Sequence, residues 1–412
     1  EAKLEFIPLS PEKPIVLYGT SIAHGACASR PAMAWSTILQ RSLDYPLINL
    51  GFSGNGKLEK EMLQFINETD ARLYILDCMP NLTNQNEEEV TALTVAAVKQ
   101  LREKHDTPIL LIEHGGYSNM YTDSAQHKAI TKVNRASRKA YEQILSDGIK
   151  NIHYLSREEL DIPADGWVDY VHPSDLGMQR QAEVVERKVR EILHIPLGHL
   201  QTTIPVTQRR EPPMYEWRAR HRAFLEQVRN YPPKAVIIGN SITHYWGGEP
   251  EHRNKNGRET WEKVMRPAGF QNLGCGWDRI ENVLWRVYHD ELDGYETGKV
   301  ILMIGTNNFG LNSDKEIVEG LRFLLSAIHH RQPKASIKVI GILPRRHQEQ
   351  WVKNINYDIK QMVETEGYTF ANPGTALLQP DGKIDESLFI GDGLHPNNKG
   401  YELIAGEIAS PL

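Results

Sequence analysis

The chain has 412 residues, with 47 Lys and Arg against 53 Asp and Glu, which gives a formal net charge of −6. Hydrophobic residues make up 40% and charged residues 24%, a composition typical of folded globular proteins. The mild negative charge without basic clusters argues against nucleic acid or an anionic membrane as the main partner. No stretch approaches the roughly 18 consecutive apolar residues of a membrane span.

Short apolar segments alternate with longer amphipathic ones along the first half of the chain. Strands are predicted at 15–18, 47–50, 73–77, 108–113 and 151–154, with helices such as 87–104 and 125–146 between them. Such alternation is typical of right-handed βαβ units, in which a parallel sheet carries helices on both faces. The first domain, residues 1–196, is therefore predicted to be a three-layer α/β domain.

A connector is predicted from 197 to 233. Residues 197–213 contain three prolines and no sustained hydrophobic period, and a charged helix over 214–229 is interpreted as a solvated packing helix. Strands then recur at 235–239, 270–273, 300–304, 336–343 and 368–371. We therefore predict a second α/β domain, residues 234–412, with the same architecture as the first.

Four short motifs occur in the same order in both halves. A Gly-x-Ser turn ends the first predicted strand, Asn-Leu-Gly ends the second, an asparagine follows the third, and Asp-x-x-His-Pro comes late. The matching positions are Ser21 and Ser241, Gly51 and Gly274, Asn81 and Asn307, Asp169 and Asp392, and His172 and His395. Because their offsets stay between 220 and 226, we interpret the halves as copies of one architecture.

These residue types suit nucleophilic catalysis. In an open parallel sheet the ligand crevice lies outside the carboxyl ends of the strands, where three of the motifs are predicted. A serine becomes a nucleophile when a histidine accepts its proton, and an aspartate three residues before that histidine can fix its tautomer. We predict the triads Ser21, His172, Asp169 and Ser241, His395, Asp392, with Gly51, Asn81 and Gly274, Asn307 as oxyanion donors.

Other known sites fit the sequence less well. The nucleophile elbow G-x-S-x-G requires glycine where Ala23 and Thr243 stand, and a P-loop over 51–58 would place Leu58 where Ser or Thr binds magnesium. The histidines show no metalloprotease spacing, so neither a metal nor an organic cofactor is expected. Three widely spaced cysteines, expected to be buried or half-buried thiols, exclude a disulfide framework: Cys27, Cys78 and Cys275.

Several residues keep two interpretations at this stage. Trp246 could line an acyl or sugar pocket, or pack the first helix of the second domain. Arg345 could meet a carboxylate of the substrate, or remain a solvated surface charge, and the same doubt applies to His114 in the first half. The first half as a whole could be a catalytic domain or a decayed copy that binds or packs.

Together the motifs resemble those of the SGNH (GDSL-like) hydrolases. Across 235–408 the second half is similar to the platelet-activating-factor acetylhydrolase catalytic-subunit branch, through Asn272-Leu273-Gly274, Gly305-Thr306-Asn307-Asn308 and Asp392-Gly393-Leu394-His395-Pro396. Across 15–192 the first half is similar to a more divergent branch, with Met79 in place of the glycine before the asparagine. The resemblance implies two flavodoxin-like α/β/α domains with esterase activity.

Paired modules of this type also resemble exported carbohydrate O-acetylesterases of glycan-degrading bacteria, including sialate O-acetylesterases. The resemblance implies a carbohydrate ester as substrate and acetate as product. A periplasmic or secreted bacterial location is expected, since a glycan on the sequon Asn81-Leu82-Thr83 would block the first site in a eukaryotic secretory route. A lipid acylhydrolase and a glycan-binding module without turnover remain alternatives.

Overall fold

The computed structural model describes residues 10–210 and 214–410. They form two compact units, one from Glu12 to His194 and one from Ile195 onward, to which Ser10 and Pro11 also belong. The segment predicted as linker and connecting helix, 197–233, therefore lies within the second unit.

The first unit is a five-stranded parallel sheet with helices on its faces. Its strands are β1 (Ile15–Gly19), β2 (Leu47–Gly51), β3 (Leu73–Asp77), β4 (Ile109–Ile112) and β5 (Ile152–Leu155). Its helices are α1 (Ser21–His24), α2 (Trp35–Leu43), α3 (Lys60–Ile66), α4 (Glu87–Arg102), α5 (Ser124–Ser146), α6 (Arg157–Leu160) and α7 (Asp175–Ile192). Short 3₁₀ helices cover Pro31–Met33, Met79–Leu82 and Ala164–Gly166.

The second unit repeats this plan. Its strands are β6 (Ala235–Gly239), β7 (Phe270–Gly274), β8 (Lys299–Met303), β9 (Ser336–Ile340) and β10 (Thr369–Ala371). Its helices are α8 (Trp217–Asn230), α9 (Ser241–His244), α10 (Arg258–Thr260), α11 (Ile280–Tyr288), α12 (Asp314–Arg331), α13 (Glu349–Thr365) and α14 (Asn398–Ala409). A π-helical turn covers Trp261–Met265, and 3₁₀ helices cover Gln201–Thr203, Thr306–Asn308, Pro373–Leu377 and Glu386–Leu388.

Strand order is the same in both sheets. The first runs β2-β1-β3-β4-β5 and the second, from the matching edge, β7-β6-β8-β9-β10. The strand after β1, β2, lies on one side of it and the following strand, β3, lies on the other. A crevice therefore opens at the carboxyl end of β1, and in the same way at that of β6. The predicted pair of tandem parallel α/β domains is confirmed.

Burial explains why the central strands are continuous apolar runs. All five residues of β1, β3 and β6 are buried, because helices cover both faces of the sheet. The equivalent edge strands β2 and β7 differ in burial. Ile48 of β2 is exposed, whereas most of β7 is buried and contacts α8. Gln227 of α8 accepts a hydrogen bond from Gln271 of β7 at 2.6 Å.

The helix α8 is more deeply packed than its charged sequence suggests. Its side chains Trp217, Arg220, His221, Phe224 and Leu225 are all buried against the second unit. The helix packs as interpreted and exposes one face, but Arg220 and His221 are not solvated, because they find buried partners that the sequence does not reveal. Among the described residues, no helix is both long and apolar enough to cross a membrane.

One buried carboxyl distinguishes the first sheet from the second. Asp77 ends β3 beside Gly19 and is 3% exposed, while Met303 holds the matching position of β8. Burial raises the pKa of Asp77 to about 8, against which a hydrogen bond from Gln181 at 3.5 Å acts only weakly. At neutral pH the fold therefore holds Asp77 mainly in its protonated form.

The first unit should lose stability as the pH rises from about 4 to about 8. Over that interval the unfolded chain releases the Asp77 proton and the folded chain keeps it, at a cost of about 1.4 kcal/mol per pH unit. Asp77→Asn should match the wild type near pH 4 and be the more stable protein at pH 8. Urea unfolding followed by pulsed hydrogen exchange of first-unit peptides measures the difference.

A surface carboxylate provides the control. Asp70 is exposed and pairs with Lys13 at 3.0 Å, so Asp70→Asn should change stability little and equally at both pH values. An Asp77→Asn variant whose stability relative to the wild type does not rise with pH would contradict a protonated buried Asp77.

Candidate active site

Each predicted serine begins a short helix directly after the central strand. Ser21 is the first residue of α1 and Ser241 the first of α9. The preceding residue caps the helix: the Thr20 hydroxyl accepts from Ile22 N at 3.3 Å, and the Asn240 amide oxygen accepts from Ile242 N at 2.9 Å. The serine N–H groups stay without helical partners, as at every helix start.

The first triad is assembled. The Ser21 hydroxyl lies 2.9 Å from His172 Nε2, and His172 Nδ1 lies 2.8 Å from Asp169 Oδ2. Asp169 Oδ1 also accepts the backbone N–H of His172 at 2.8 Å. With Nδ1–H donating to the carboxylate, Nε2 carries the lone pair that faces the serine.

The second triad has the same geometry. Ser241 Oγ lies 2.8 Å from His395 Nε2, and His395 Nδ1 lies 2.6 Å from Asp392 Oδ2. Asp392 Oδ1 accepts from His395 N at 2.9 Å. In each domain the structure brings together the Ser, His and Asp predicted from sequence.

Both aspartates are held in their ionised form. Burial alone would raise the pKa of Asp169, but hydrogen bonds from the ring and backbone of His172 outweigh it and hold that pKa at about 2. The pKa of Asp392 is lowered in the same way, with burial opposed by hydrogen bonds from His395. Ionised carboxylates can stabilise an imidazolium when the histidine accepts a proton.

The predicted glycine donors are wrong. Gly51 N donates to Asn49 Oδ1 at 2.9 Å and Gly274 N to Asn272 Oδ1 at 2.8 Å, so neither N–H is free for a substrate oxygen. A Cβ at Gly51 would lie 2.3 Å from His24 N, and one at Gly274 would lie 2.3 Å from His244 N. Glycine is needed there because the serine-bearing helix touches the strand end.

Free donors lie three residues further along the same loop. Gly54 and Trp277 have positive φ angles of 72° and 64°, and among the described residues their N–H groups have no partner in the protein. The loop is tied beside the serine because Phe52 N donates to Gly19 O, and Cys275 N to Gly239 O, each at 3.0 Å. Sequence reasoning missed both positions, although their offset of 223 matches that of the glycines.

The predicted asparagines approach the same loops. Asn307 Nδ2 donates to the backbone oxygen of Asp278 at 3.0 Å, and Asn81 Nδ2 donates to that of Asn55. An amide NH₂ has two hydrogens, so each asparagine keeps one donor free after this anchoring bond. A single 3₁₀ turn carries the asparagine in both domains, although the first lacks the glycine corresponding to Gly305.

A buried ion network supports the second loop. Arg286 is 0% exposed, and its guanidinium donates to Asp278 Oδ2 at 2.9 Å, Glu291 Oε2 at 2.5 Å and the Leu273 backbone oxygen at 3.0 Å. In the first domain Asn55 stands in place of Asp278, and Glu59 accepts instead from Tyr18 and from Lys57 N. Two chemically different supports therefore hold the equivalent loop.

The segment before β6 contributes to this support. Trp217 Nε1 donates to Asp278 Oδ1 at 2.8 Å, and Arg220 Nε donates to the Gly274 backbone oxygen at 2.7 Å. Gln208 donates to the Gly276 oxygen at 3.0 Å. Residues predicted as a connector therefore fix the loop that carries the free Trp277 N–H.

Aromatic and histidine rings pack behind the second triad. His244 Nδ1 accepts from Gly276 N at 3.1 Å, and Tyr245 packs between His252 and His395 with ring centroids 5.1 and 5.3 Å away. Burial and the nearby Arg220 lower the pKa of His244 and of His252, so both are neutral. Neutral rings here leave His395 as the proton acceptor next to Ser241.

Of the two predicted substrate-binding residues, only Arg345 lies beside the site. Trp246 does not line a pocket, because its fully buried ring stacks on Tyr401 with centroids 4.9 Å apart. Arg345 does lie by the site: it donates to the Thr306 oxygen at 3.1 Å and covers the Phe309 ring.

His114 and two of the three cysteines are buried. Burial lowers the pKa of His114 to about 3, and its Nδ1 accepts from Gly116 N at 3.0 Å, so it is a neutral core histidine. Cys78 and Cys275 are buried as expected, but Cys27 is exposed, because it lies in the loop after α1 beside Asp169.

Removing the buried arginine should destabilise the second unit strongly. Arg286→Met leaves two carboxylates buried without their cation, which costs about 3–5 kcal/mol of unfolding free energy. The matched change Arg266→Met breaks an exposed pair with Glu262 and should cost at most about 1 kcal/mol. Urea unfolding of the two variants measures the contrast, and equal losses would contradict this account of the network.

Comparison with known proteins identifies a family for both halves of the chain. Residues 12–190 and residues 237–403 each match a model of the GDSL-like lipase/acylhydrolase family. Platelet-activating factor acetylhydrolase IB subunit alpha1 of Homo sapiens is 26% identical over 203 residues, which cover 48% of this chain and 82% of the relative. Subunit alpha2 of Bos taurus is 27% identical over 204 residues, covering 48% and 81%.

A solved structure from Bacteroides ovatus, described as a GDSL-like lipase, is 37% identical with a TM-score of 0.42, and the match covers 44% of this chain and 54% of that one. The two family matches confirm the resemblance drawn from the motifs. The chain belongs to the GDSL-like lipase/acylhydrolase family and carries two of its domains in tandem.

Proposed function

We propose that the protein is a serine esterase with two active sites that removes acetyl or other short acyl groups from carbohydrate esters. The observation that carries the proposal is the complete Ser-His-Asp geometry in both domains, with ring-to-hydroxyl distances of 2.9 and 2.8 Å. Membership of an acylhydrolase family supports the reaction class.

The reaction begins at the serine. The hydroxyl oxygen of Ser241 attacks the ester carbonyl carbon while its proton passes to His395 Nε2, and Asp392 stabilises the resulting imidazolium. Ser21, His172 and Asp169 act in the same way in the first site.

Three donors stabilise the tetrahedral oxyanion in each site. They are the serine N–H, the free loop N–H and the second hydrogen of the asparagine amide. In the second site these belong to Ser241, Trp277 and Asn307; in the first they belong to Ser21, Gly54 and Asn81.

Collapse of this intermediate breaks the bond to the sugar oxygen, which takes its proton from the histidine. Water then attacks the acyl-serine and gives a proton to the same histidine. The second tetrahedral intermediate collapses, the bond to the serine oxygen breaks, that oxygen takes the proton from the histidine, and the free acid leaves. Every step uses protein side chains and water as proton carriers.

Two features favour a small acyl group and a polar alcohol. Ser21 and Ser241 are each 7% exposed, so only a slender part of a substrate reaches the nucleophile without rearrangement, and we propose a short acyl group on this ground. The guanidinium of Arg345, joined to the turn that holds Asn307, can meet an acidic sugar such as a sialic acid. A deacetylase for O-acetylated sialic acid or related glycans fits both features.

A lipid acetyl ester is the second candidate. It is favoured by the names of the curated relatives, which are platelet-activating factor acetylhydrolase subunits. A non-catalytic, glycan-binding first domain is less favoured, because its triad is as well formed as the second. A periplasmic or secreted location stays a prediction of the sequence.

Removal of both nucleophiles should abolish hydrolysis. Ser21→Ala and Ser241→Ala should each remove the activity of one site, and the double variant should lose about a thousandfold or more in kcat. Acetate release from aryl acetate, O-acetylated sialoglycans and an acetylated phospholipid measures the loss and identifies the substrate class.

Each outcome discriminates between functions. Full activity in the double variant would overturn the esterase assignment, and loss with Ser241→Ala alone would leave the first domain as a binding copy. A preference for the phospholipid over the glycans would select the lipid candidate.

The anchored asparagine should act on the rate rather than on binding. Asn307→Ala, made in the Ser21→Ala background, removes one oxyanion donor and should lower kcat about 100-fold to 1,000-fold with little change in KM. Asn354→Ala, which changes an exposed helical asparagine, should leave both constants unchanged. Steady-state kinetics on an aryl acetate separates the two effects, and a KM change alone would contradict the oxyanion role.

A further inference from the structure

A thiol lies beside the first triad, and within the described part of the chain no metal-ligand group of three lies beside the second. Cys27 Sγ is 3.8 Å from Asp169 Oδ2, and one ligand atom each from Cys27, Asp169 and His172 all lie within 4.8 Å of one another. Cys27 stands six residues after Ser21, and the residue six after Ser241 is Gly247. The two sites therefore differ in their potential metal ligands.

We propose that the first site binds a zinc-like divalent cation through Cys27 Sγ, Asp169 Oδ2 and His172 Nδ1, and that the bound cation switches this site off while the second stays active. Binding is argued from the ligand geometry alone. The inhibition rests on the proposed esterase function.

The spacing suits a four-coordinate zinc ion. Zinc lies about 2.3 Å from thiolate sulfur and about 2.0–2.2 Å from imidazole nitrogen or carboxylate oxygen, so tetrahedral ligands stand about 3.5 Å apart. The Cys27 Sγ to Asp169 Oδ2 distance of 3.8 Å is close to this value, and the His172 Nδ1 to Asp169 Oδ2 distance of 2.8 Å must open by about 0.7 Å.

Access also favours the cation. The Cys27 thiol releases its proton to solvent when sulfur binds the metal. Cys27 and Asp169 are both exposed, so water can supply the fourth ligand. Thiolate and imidazole ligands select zinc or cobalt over the hard cations magnesium and calcium.

Coordination is incompatible with the catalytic tautomer. A metal on Nδ1 requires the ring proton of His172 to sit on Nε2, where it donates to Ser21 instead of accepting the serine proton. The same cation occupies the Asp169 oxygen that orients the ring. The second triad offers only an aspartate and a histidine, so among the described residues it holds no comparable set of three.

Binding can be tested without any activity. Titration of the full chain with Co²⁺ should produce a thiolate-to-cobalt charge-transfer absorption, with one equivalent bound. Cys27→Ser should abolish this absorption, while Ser29→Ala, a change in the same loop at a residue that contacts Asp175, should retain it. Absorption that persists in Cys27→Ser would overturn the site.

Inhibition is tested with one site active at a time. Hydrolysis of an aryl acetate by Ser241→Ala should be inhibited by buffered Zn²⁺ at least tenfold more strongly than hydrolysis by Ser21→Ala, and Mg²⁺ should inhibit neither. Adding Cys27→Ser to Ser241→Ala should preserve basal activity and remove the extra sensitivity.

The two readouts separate the possible failures. Equal Zn²⁺ inhibition of both sites, or undiminished inhibition with Cys27→Ser, would overturn the switch. If Ser241→Ala has no activity at all, the proposed function fails for the first domain, and the cobalt titration still decides whether the metal site exists.

Discussion

Both sites depend on how closely the serine-bearing helix approaches the end of the neighbouring strand. At Gly51 and Gly274 the backbone of that helix occupies the space that a side chain would need. This contact fixes the serine at the carboxyl end of the first strand of each sheet. At that point the next strand is added on one side and the one after it on the other. The histidine arrives from a loop that α7 or α14 follows immediately, so a few rigid elements define the distances within each triad.

Much of this could be predicted from the sequence, because it is local. The serine two residues after a strand-end glycine, and the aspartate three residues before its histidine, form contacts that depend on short spacings. The apolar runs and their order also predicted the parallel sheets, since strands buried on both faces lack polar alternation.

The sequence predictions failed where a side chain accepts a hydrogen bond from a backbone N–H, or where two contacting residues are far apart along the chain. Asn49 and Asn272 take the glycine N–H groups, which moves the free donor to Gly54 and Trp277, and a tryptophan gives no sign of a positive φ. The bond from Trp217 to Asp278 joins residues 61 positions apart, so helix α8 resembled a solvated connector in sequence alone. The two interpretations of Trp246 could not be separated in sequence because its packing partner, Tyr401, is distant along the chain.

The second loop is held by Gln208, Trp217 and Arg220, which all precede β6, and this affects how much of the chain the domain needs. A recombination event that moved only the strands and helices from β6 onward would carry the motifs but leave behind Gln208, Trp217 and Arg220. The recipient protein would contain a recognisable esterase sequence but would lack the side chains that hold its oxyanion loop in place. The unit of inheritance for this domain is therefore longer than the stretch that motif comparison delimits.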